Sequence, residues 1–204
     1  MKRHRGDEGK RLLDKLHTHR MVASIKEPKQ IEIALSLKNQ LSGVFLLTGH
    51  IGVIKGYVDL FNHHDMPVFL HLEKIGGVST DSYGLDYLAK AIKPTGIVTT
   101  KINVVKTAKK LGLVTIQRFF LMDTDGLDNI CKSLCQIEPD IVEVMPARIP
   151  EMIGEIKKFT ALPIITGGLL SERNHIKECL SAGATAVSSS KSELWRDPYA
   201  HKFA

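Results

Sequence analysis

The stretch LPIITGGLLSERNHIKECLSAGATAVSSSKSELW, residues 162–195, holds two short apolar runs, LPIIT at 162–166 and ATAVSSS at 184–190. The first runs into Gly167 and Gly168, and the second ends on Ser188, Ser189 and Ser190. Apolar runs of this length, bounded by turn residues, read as strands buried on both faces. Working outward, the same kind of run recurs at MVASI (21–25), GVFLL (43–47), PVFLHL (67–72), GIVTT (96–100), LVTIQRFF (113–120) and DIVEVM (140–145), which makes eight. Helical spacings lie between them, such as Leu127, Ile130, Cys131, Leu134 and Ile149, Met152, Ile153, Ile156, each marking one buried face at period 3.6. Leu111-Gly112, Glu138-Pro139, Leu162-Pro163 and Ala182-Gly183 stand just before the next run, where a helix cap or a strand start belongs. Eight strand-helix units in about 180 residues predict a compact TIM (β/α)8 barrel as one domain over residues 21–204. A doubly wound open sheet is the alternative, because periodicity alone does not show that a sheet closes.

Composition narrows the class. With 204 residues, 43% of them hydrophobic, the chain is long enough for one sizeable core. No run approaches the roughly 18 apolar residues of a membrane helix, and the opening MKRHRGDEGK lacks the apolar stretch of a signal peptide. A soluble, cytoplasmic protein without a membrane partner is expected. Three cysteines, with Cys131 and Cys135 in a helical pattern and no CxxC, suit packing better than metal binding or redox work. Residues 1–20 form a basic N-terminal extension with seven Lys/Arg against three acids, so they supply most of the net +6 charge. Arg3, Arg5, Lys10 and Arg11 are candidate contacts to a phosphate backbone, and a solvated helical face is the plainer reading. Leu12, Leu13 and Leu16 are expected to form an apolar edge that covers the bottom of the barrel.

Function in such a barrel sits at the C-terminal ends of the strands, so polar residues late in apolar runs are the candidates. These are His71 and Glu73 after the third run, Lys101 after the fourth, Arg118 in the fifth and Glu143 in the sixth. Glu143 interrupts IVEVM, and a carboxylate there needs a partner or a polar pocket. Two arrangements satisfy it: an ion pair with Arg118 inside the barrel, or a pocket floor where Glu143 accepts hydroxyl hydrogen bonds while Arg118 or Lys101 holds an anion. The ends of the seventh and eighth runs form the phosphate site expected of this fold. Gly167 and Gly168 allow close backbone approach, Ser188, Ser189 and Ser190 add hydroxyls, and a short helix is expected to begin near Lys191.

IQRFFLMDT (116–124), VEVMPARIP (142–150), TGGLL (166–170) and AVSSSKSELW (186–195) resemble, in order and spacing, the glycerol uptake operon antiterminator regulatory proteins. The resemblance runs from about Met21 to Trp195. It implies a TIM barrel that senses glycerol 3-phosphate, binds leader mRNA and promotes transcription antitermination of glycerol-utilisation genes, without a cofactor, catalytic residue or metal. It also implies that Gly167, Gly168 and the three serines bind the ligand phosphate, and that Arg118 and Glu143 belong to the ligand site. The chain departs from the family pattern at Met145-Pro146-Ala147, where Leu-Pro-Gly is usual, and at Lys101, where Arg is common. The competing class is a TIM-barrel lyase, isomerase or phosphodiesterase acting on a small phosphate-bearing substrate, with Glu143 as general base and Lys101 as electrostatic or Schiff-base partner. RNA binding rests on the resemblance and the basic extension, since no RRM, KH or zinc-knuckle pattern is present. A homo-oligomer is compatible with the sequence.

Overall fold

The computed structural model describes residues 2–196, without the side chains of residues 2–8 and Thr124. The elements run α1 (Lys2–His19), β1 (Met21–Ile25), α2 (Gln30–Ser36), β2 (Gly43–Leu46), α3 (Ile54–His63), β3 (Val68–His71), α4 (Ser82–Tyr87), β4 (Gly96–Thr99), α5 (Ile102–Lys110), β5 (Val114–Phe120), α6 (Thr124–Gln136), β6 (Ile141–Met145), α7 (Glu151–Lys157), β7 (Ile164–Gly167), α8 (Arg173–Ser181) and β8 (Ala186–Ser189). Every neighbouring pair of strands is parallel, and β8 pairs with β1, which closes the barrel. Closure decides between the two architectures that the hydrophobic pattern allowed. A turn of 3-10 helix, Ser192–Leu194, follows β8 in place of the expected short α-helix.

Strand alternation divides the core in two. Val44, Val68, Leu70, Ile97, Val142, Ile164 and Val187 face outward into the layer between sheet and helices. Val22, Phe45, Phe69, Val98, Ile116, Ile141, Ile165 and Ala186 face inward and fill the lumen. Two residues further along the same strands, the inward positions become Ser24, Leu47, His71, Arg118, Glu143, Gly167 and Ser188. The lumen therefore turns from wholly apolar to largely polar toward the C-terminal ends of the strands, which is where a ligand enters this fold.

The N-terminal segment is part of this packing. Leu12 and Leu16 of α1 are buried against the inward-facing residues, whereas Leu13 lies on the exposed side. The helix thus stoppers the open end of the lumen with two side chains, and Ser42 donates a hydrogen bond to the carbonyl of Lys15 at 3.0 Å to fix its last turns. Leu16→Ala is expected to destabilise the protein by about 2–5 kcal/mol, because the site is enclosed and cannot collapse fully. Leu13→Ala should stay within about 0.5 kcal/mol of the wild type. Denaturant unfolding of the two variants checks both values.

Candidate functional site

A cavity of about 170 Å³ opens at the C-terminal end of the lumen. It is lined by Ser24 and Lys26 at the end of β1, Leu47 after β2, Arg118 from β5, Met145 from β6, Gly168, Leu169 and Leu170 after β7, and Ser188 to Lys191 from β8 onward. Three cations, Lys26, Arg118 and Lys191, line it without a carboxylate among them. The backbone amides of Gly168, Leu169 and Ser190 have no protein partner among the described residues. Unpaired amides beside three positive charges favour an anion over a cation or an apolar group.

The floor is built around Glu143, which is completely enclosed. Arg118 Nε donates to Glu143 Oε2 at 2.6 Å, and Ser188 Oγ donates to Oε1 at 2.8 Å. Register places these groups side by side: Arg118 is paired with Glu143 across β5 and β6, and Gly167 with Ser188 across β7 and β8. Gly167 is required because a Cβ there would sit 2.1 Å from the Ser188 hydroxyl. One charged and one neutral donor compensate the burial of the carboxylate, and the ion pair holds Arg118 at the cavity. The ion pair expected as one of two roles for Glu143 is thus present, and each carboxylate oxygen keeps a second lone pair.

Two loops are fastened around this cavity. Gln30 Nε2 donates to the Ser190 carbonyl at 2.9 Å, while its Oε1 accepts from the Lys26 amide at 2.8 Å, which ties the β1 loop to the β8 loop. Trp195, fully buried, donates from Nε1 to the Ser189 carbonyl at 2.8 Å. The Ser189 hydroxyl accepts from the Lys191 amide at 3.2 Å, so it shapes the turn while its neighbour Ser190 remains on the rim. Gly168 has φ +77°, and a Cβ there would meet the Met145 methyl at 2.8 Å. Leu169 follows at φ +57°, a left-handed conformation that costs a non-glycine residue roughly 1–2 kcal/mol, with its side chain 70% exposed at the mouth.

Glu73 and Lys101 lie elsewhere on the rim, at the ends of β3 and β4, on the side of the barrel opposite β7 and β8. Glu73 Oε1 accepts from Thr99 Oγ1 at 2.5 Å and from the Thr100 amide at 3.1 Å, and its Oε2 lies 3.0 Å from His71 Nδ1. Burial pushes the Glu73 carboxyl up, but the His71, Thr99 and backbone hydrogen bonds outweigh it and hold the group at about 2. Lys101 Nζ donates to Thr80 Oγ1 at 3.3 Å. The sequence-based candidates therefore fall into two groups: Arg118, Glu143, Gly167, Gly168 and the serines at one site, Glu73 and Lys101 at another. Of the extension, Lys10 and Arg11 are exposed, while the side chains of Arg3 and Arg5 lie outside the described residues. Among the described residues, no cluster of His, Cys, Asp and Glu could hold a metal ion, and no helix is long and apolar enough to cross a membrane.

Residues 21–195 match the model of the glycerol-3-phosphate responsive antiterminator family, and the chain belongs to that family. It is a family of regulators of the glycerol operon. The glycerol uptake operon antiterminator regulatory protein of Listeria monocytogenes superposes with a TM-score of 0.81 at 28% identity, over 86% of this chain and 94% of its own. A glycerol uptake operon antiterminator-related protein of Thermotoga maritima gives a TM-score of 0.78 at 22% identity, over 88% and 99% of the two chains. An uncharacterised Escherichia coli protein, YgcP, is 27% identical over 184 residues, covering 90% of this chain and 95% of the relative. Deoxyribose phosphate aldolase of Aeropyrum pernix shares the fold alone, with a TM-score of 0.65 at 13% identity.

Proposed function

We propose that the protein senses glycerol 3-phosphate in the cavity at the C-terminal end of the barrel, and that the ligand-bound form binds leader mRNA and promotes transcription antitermination of glycerol-utilisation genes. The observation that carries the ligand assignment is the set of unpartnered amides at Gly168, Leu169 and Ser190 beside Lys26, Arg118 and Lys191. A phosphate monoester supplies the two negative charges and three acceptor oxygens that such a set lacks. The cavity, about 170 Å³, suits a ligand of a few heavy atoms. Glu143 acts beneath the ligand as the group that aims Arg118 and Ser188.

RNA binding is supported by charge on the outer surface. Lys10 and Arg11 on α1, Lys93, and Lys106 and Lys110 on α5 are all exposed, and none has an acidic partner among the described residues. Truncation at Met21 would remove Leu12 and Leu16 from the lumen, so charge substitutions are the cleaner test of the extension. Filter binding of a glycerol-operon leader RNA across a salt series is expected to show tighter binding with glycerol 3-phosphate present, because a ligand and an RNA that favour the same state help each other. Lys10→Ala combined with Arg11→Ala should flatten the log–log salt dependence by roughly one to two units, at about 0.7 to 0.9 for each phosphate no longer neutralised. Discrimination between leader and unrelated RNA should persist in that variant. Absence of RNA binding at low salt, or binding indifferent to the ligand, would overturn the regulatory reading.

A further inference from the structure

We propose that Trp195 and Gln30 are positioning residues for the anion: from behind the β8 loop they hold the Ser189 and Ser190 carbonyls away from the cavity, so that amide hydrogen and not carbonyl oxygen faces the ligand. This rests on the phosphate-binding reading of the cavity above.

The pairing of β8 with β1 stops at Ser189 and Ala23, so at Ser190 the sheet ladder gives way to side-chain contacts. Trp195 holds the first peptide of this segment, donating from Nε1 to the Ser189 carbonyl at 2.8 Å. An indole has one donor and no acceptor, and this one is anchored in the core with 1% of the residue exposed. Met145-Pro146 is the one cis peptide bond among the described residues, so the Ser189-Ser190 peptide is trans. Across a trans peptide the N–H points opposite to the C=O. With the carbonyl turned to Trp195, the Ser190 N–H is turned away from it. Ser190 lines the cavity, and its N–H has no protein partner among the described residues.

Gln30 holds the second peptide. Its Nε2 donates to the Ser190 carbonyl at 2.9 Å, and its Oε1 accepts from the amides of Lys26 at 2.8 Å and Glu27 at 3.2 Å. Two backbone donors on one side and a carbonyl on the other fix which way the side-chain amide is turned. At the far end of the same peptide the Lys191 N–H donates to the Ser189 hydroxyl at 3.2 Å. Both ends of that peptide are thus engaged. Released from Gln30, it can rotate and bring the Ser190 carbonyl oxygen to the cavity, where its partial negative charge opposes an anion. The same glutamine fixes the backbone that carries Lys26, one of the three cations at the cavity. Neither Gln30, which opens α2, nor Trp195, which closes AVSSSKSELW, stands in the cavity wall; they act through Ser190 and Lys26.

Titration with two probes, inorganic phosphate and glycerol 3-phosphate, followed by calorimetry and by the amide proton resonance of Ser190, tests the assignment. In wild type both probes are expected to saturate and to move the Ser190 amide proton downfield, the signature of a charge-assisted hydrogen bond. Trp195→Phe keeps an aromatic ring and lacks the N–H; Gln30→Met keeps the length and lacks both polar atoms. Each should weaken both probes alike by about tenfold, the order of a hydrogen bond lost at a buried group. The Ser190 shift should shrink in the same variants. A structural role alone would lower the melting temperature and leave affinity and shift unchanged in the folded protein. Gln30 is only half-buried, so Gln30→Met supplies the result if Trp195→Phe does not fold. Wild-type affinity in either folded variant overturns the assignment, as does weakened binding with the full Ser190 shift retained. Phosphate binding by wild type with an unmoved Ser190 amide overturns it too while leaving the phosphate site standing. Binding of neither probe by wild type removes the phosphate reading and this inference together.

Discussion

Glu143→Ala is expected to lower stability by about 3–5 kcal/mol, because it strands the Arg118 charge where only 5% of that residue is exposed. In a chain of this length each kcal/mol moves the melting temperature by roughly 2–4 °C, so the expected drop is on the order of 10 °C. Two further losses act in the same direction. The Ser188 hydroxyl loses its acceptor, and the space left between β5, β6 and β8 stays only partly filled. Replacing both members, Glu143→Leu with Arg118→Met, should recover most of this loss, since a buried pair exchanged for apolar side chains of similar volume is often close to neutral. The double variant should nonetheless fail to bind glycerol 3-phosphate, because the cation that the pair positions is gone. Thermal unfolding of the three proteins with and without ligand checks both statements. A Glu143→Ala protein as stable as the wild type would show that Arg118 finds another way to keep its charge solvated.

Gly168→Val is expected to abolish ligand stabilisation. Wild-type protein at a ligand concentration about 100 times its Kd should gain roughly 2.7 kcal/mol. The variant should gain nothing measurable, for two reasons on one residue. The backbone at φ +77° is strained for any β-branched side chain, and the added carbons crowd the Met145 methyl at the edge of the cavity. Leu169 already occupies a left-handed conformation next door, so the loop has little freedom to relax. A folded Gly168→Val protein that keeps the full ligand shift would remove the β7 loop from the site.

Much of the fold was legible because a parallel strand covered on both faces has to be apolar along its whole length. That constraint marked all eight strands to within a residue or two, as at MVASI, which is β1 from end to end. Closure was not legible in the same way, because hydrogen bonding between β1 and β8 leaves no trace in local periodicity. The site shows the consequence. Gly167, Gly168 and the serines announce themselves as glycines and hydroxyls at strand ends, but Ser24, Lys26 and Gln30 lie some 160 residues away and join them only through the β1–β8 pairing. Once a closed barrel is expected, the end of β1 must neighbour the end of β8, and Lys26 becomes a candidate from topology. Glu73 and Lys101 lie apart from the glycines and serines for the same geometric reason, since the ends of β3 and β4 lie across the barrel from β7 and β8. In the basic extension the charges are the conspicuous feature, yet Leu12 and Leu16, legible as an apolar edge, are what pack into the lumen.

The proposed anion site and the proposed sensor role meet in one measurement. Calorimetric titration of glycerol 3-phosphate into the wild-type protein, followed by recovery and chemical analysis of the ligand, separates recognition from turnover. Saturable binding to one site per chain, with the ligand recovered unchanged and no heat from Gly168→Val, is the result that the cavity geometry predicts. No saturable heat in wild type, or a ligand recovered as a new product, would contradict it, the first by removing the site and the second by making the protein an enzyme.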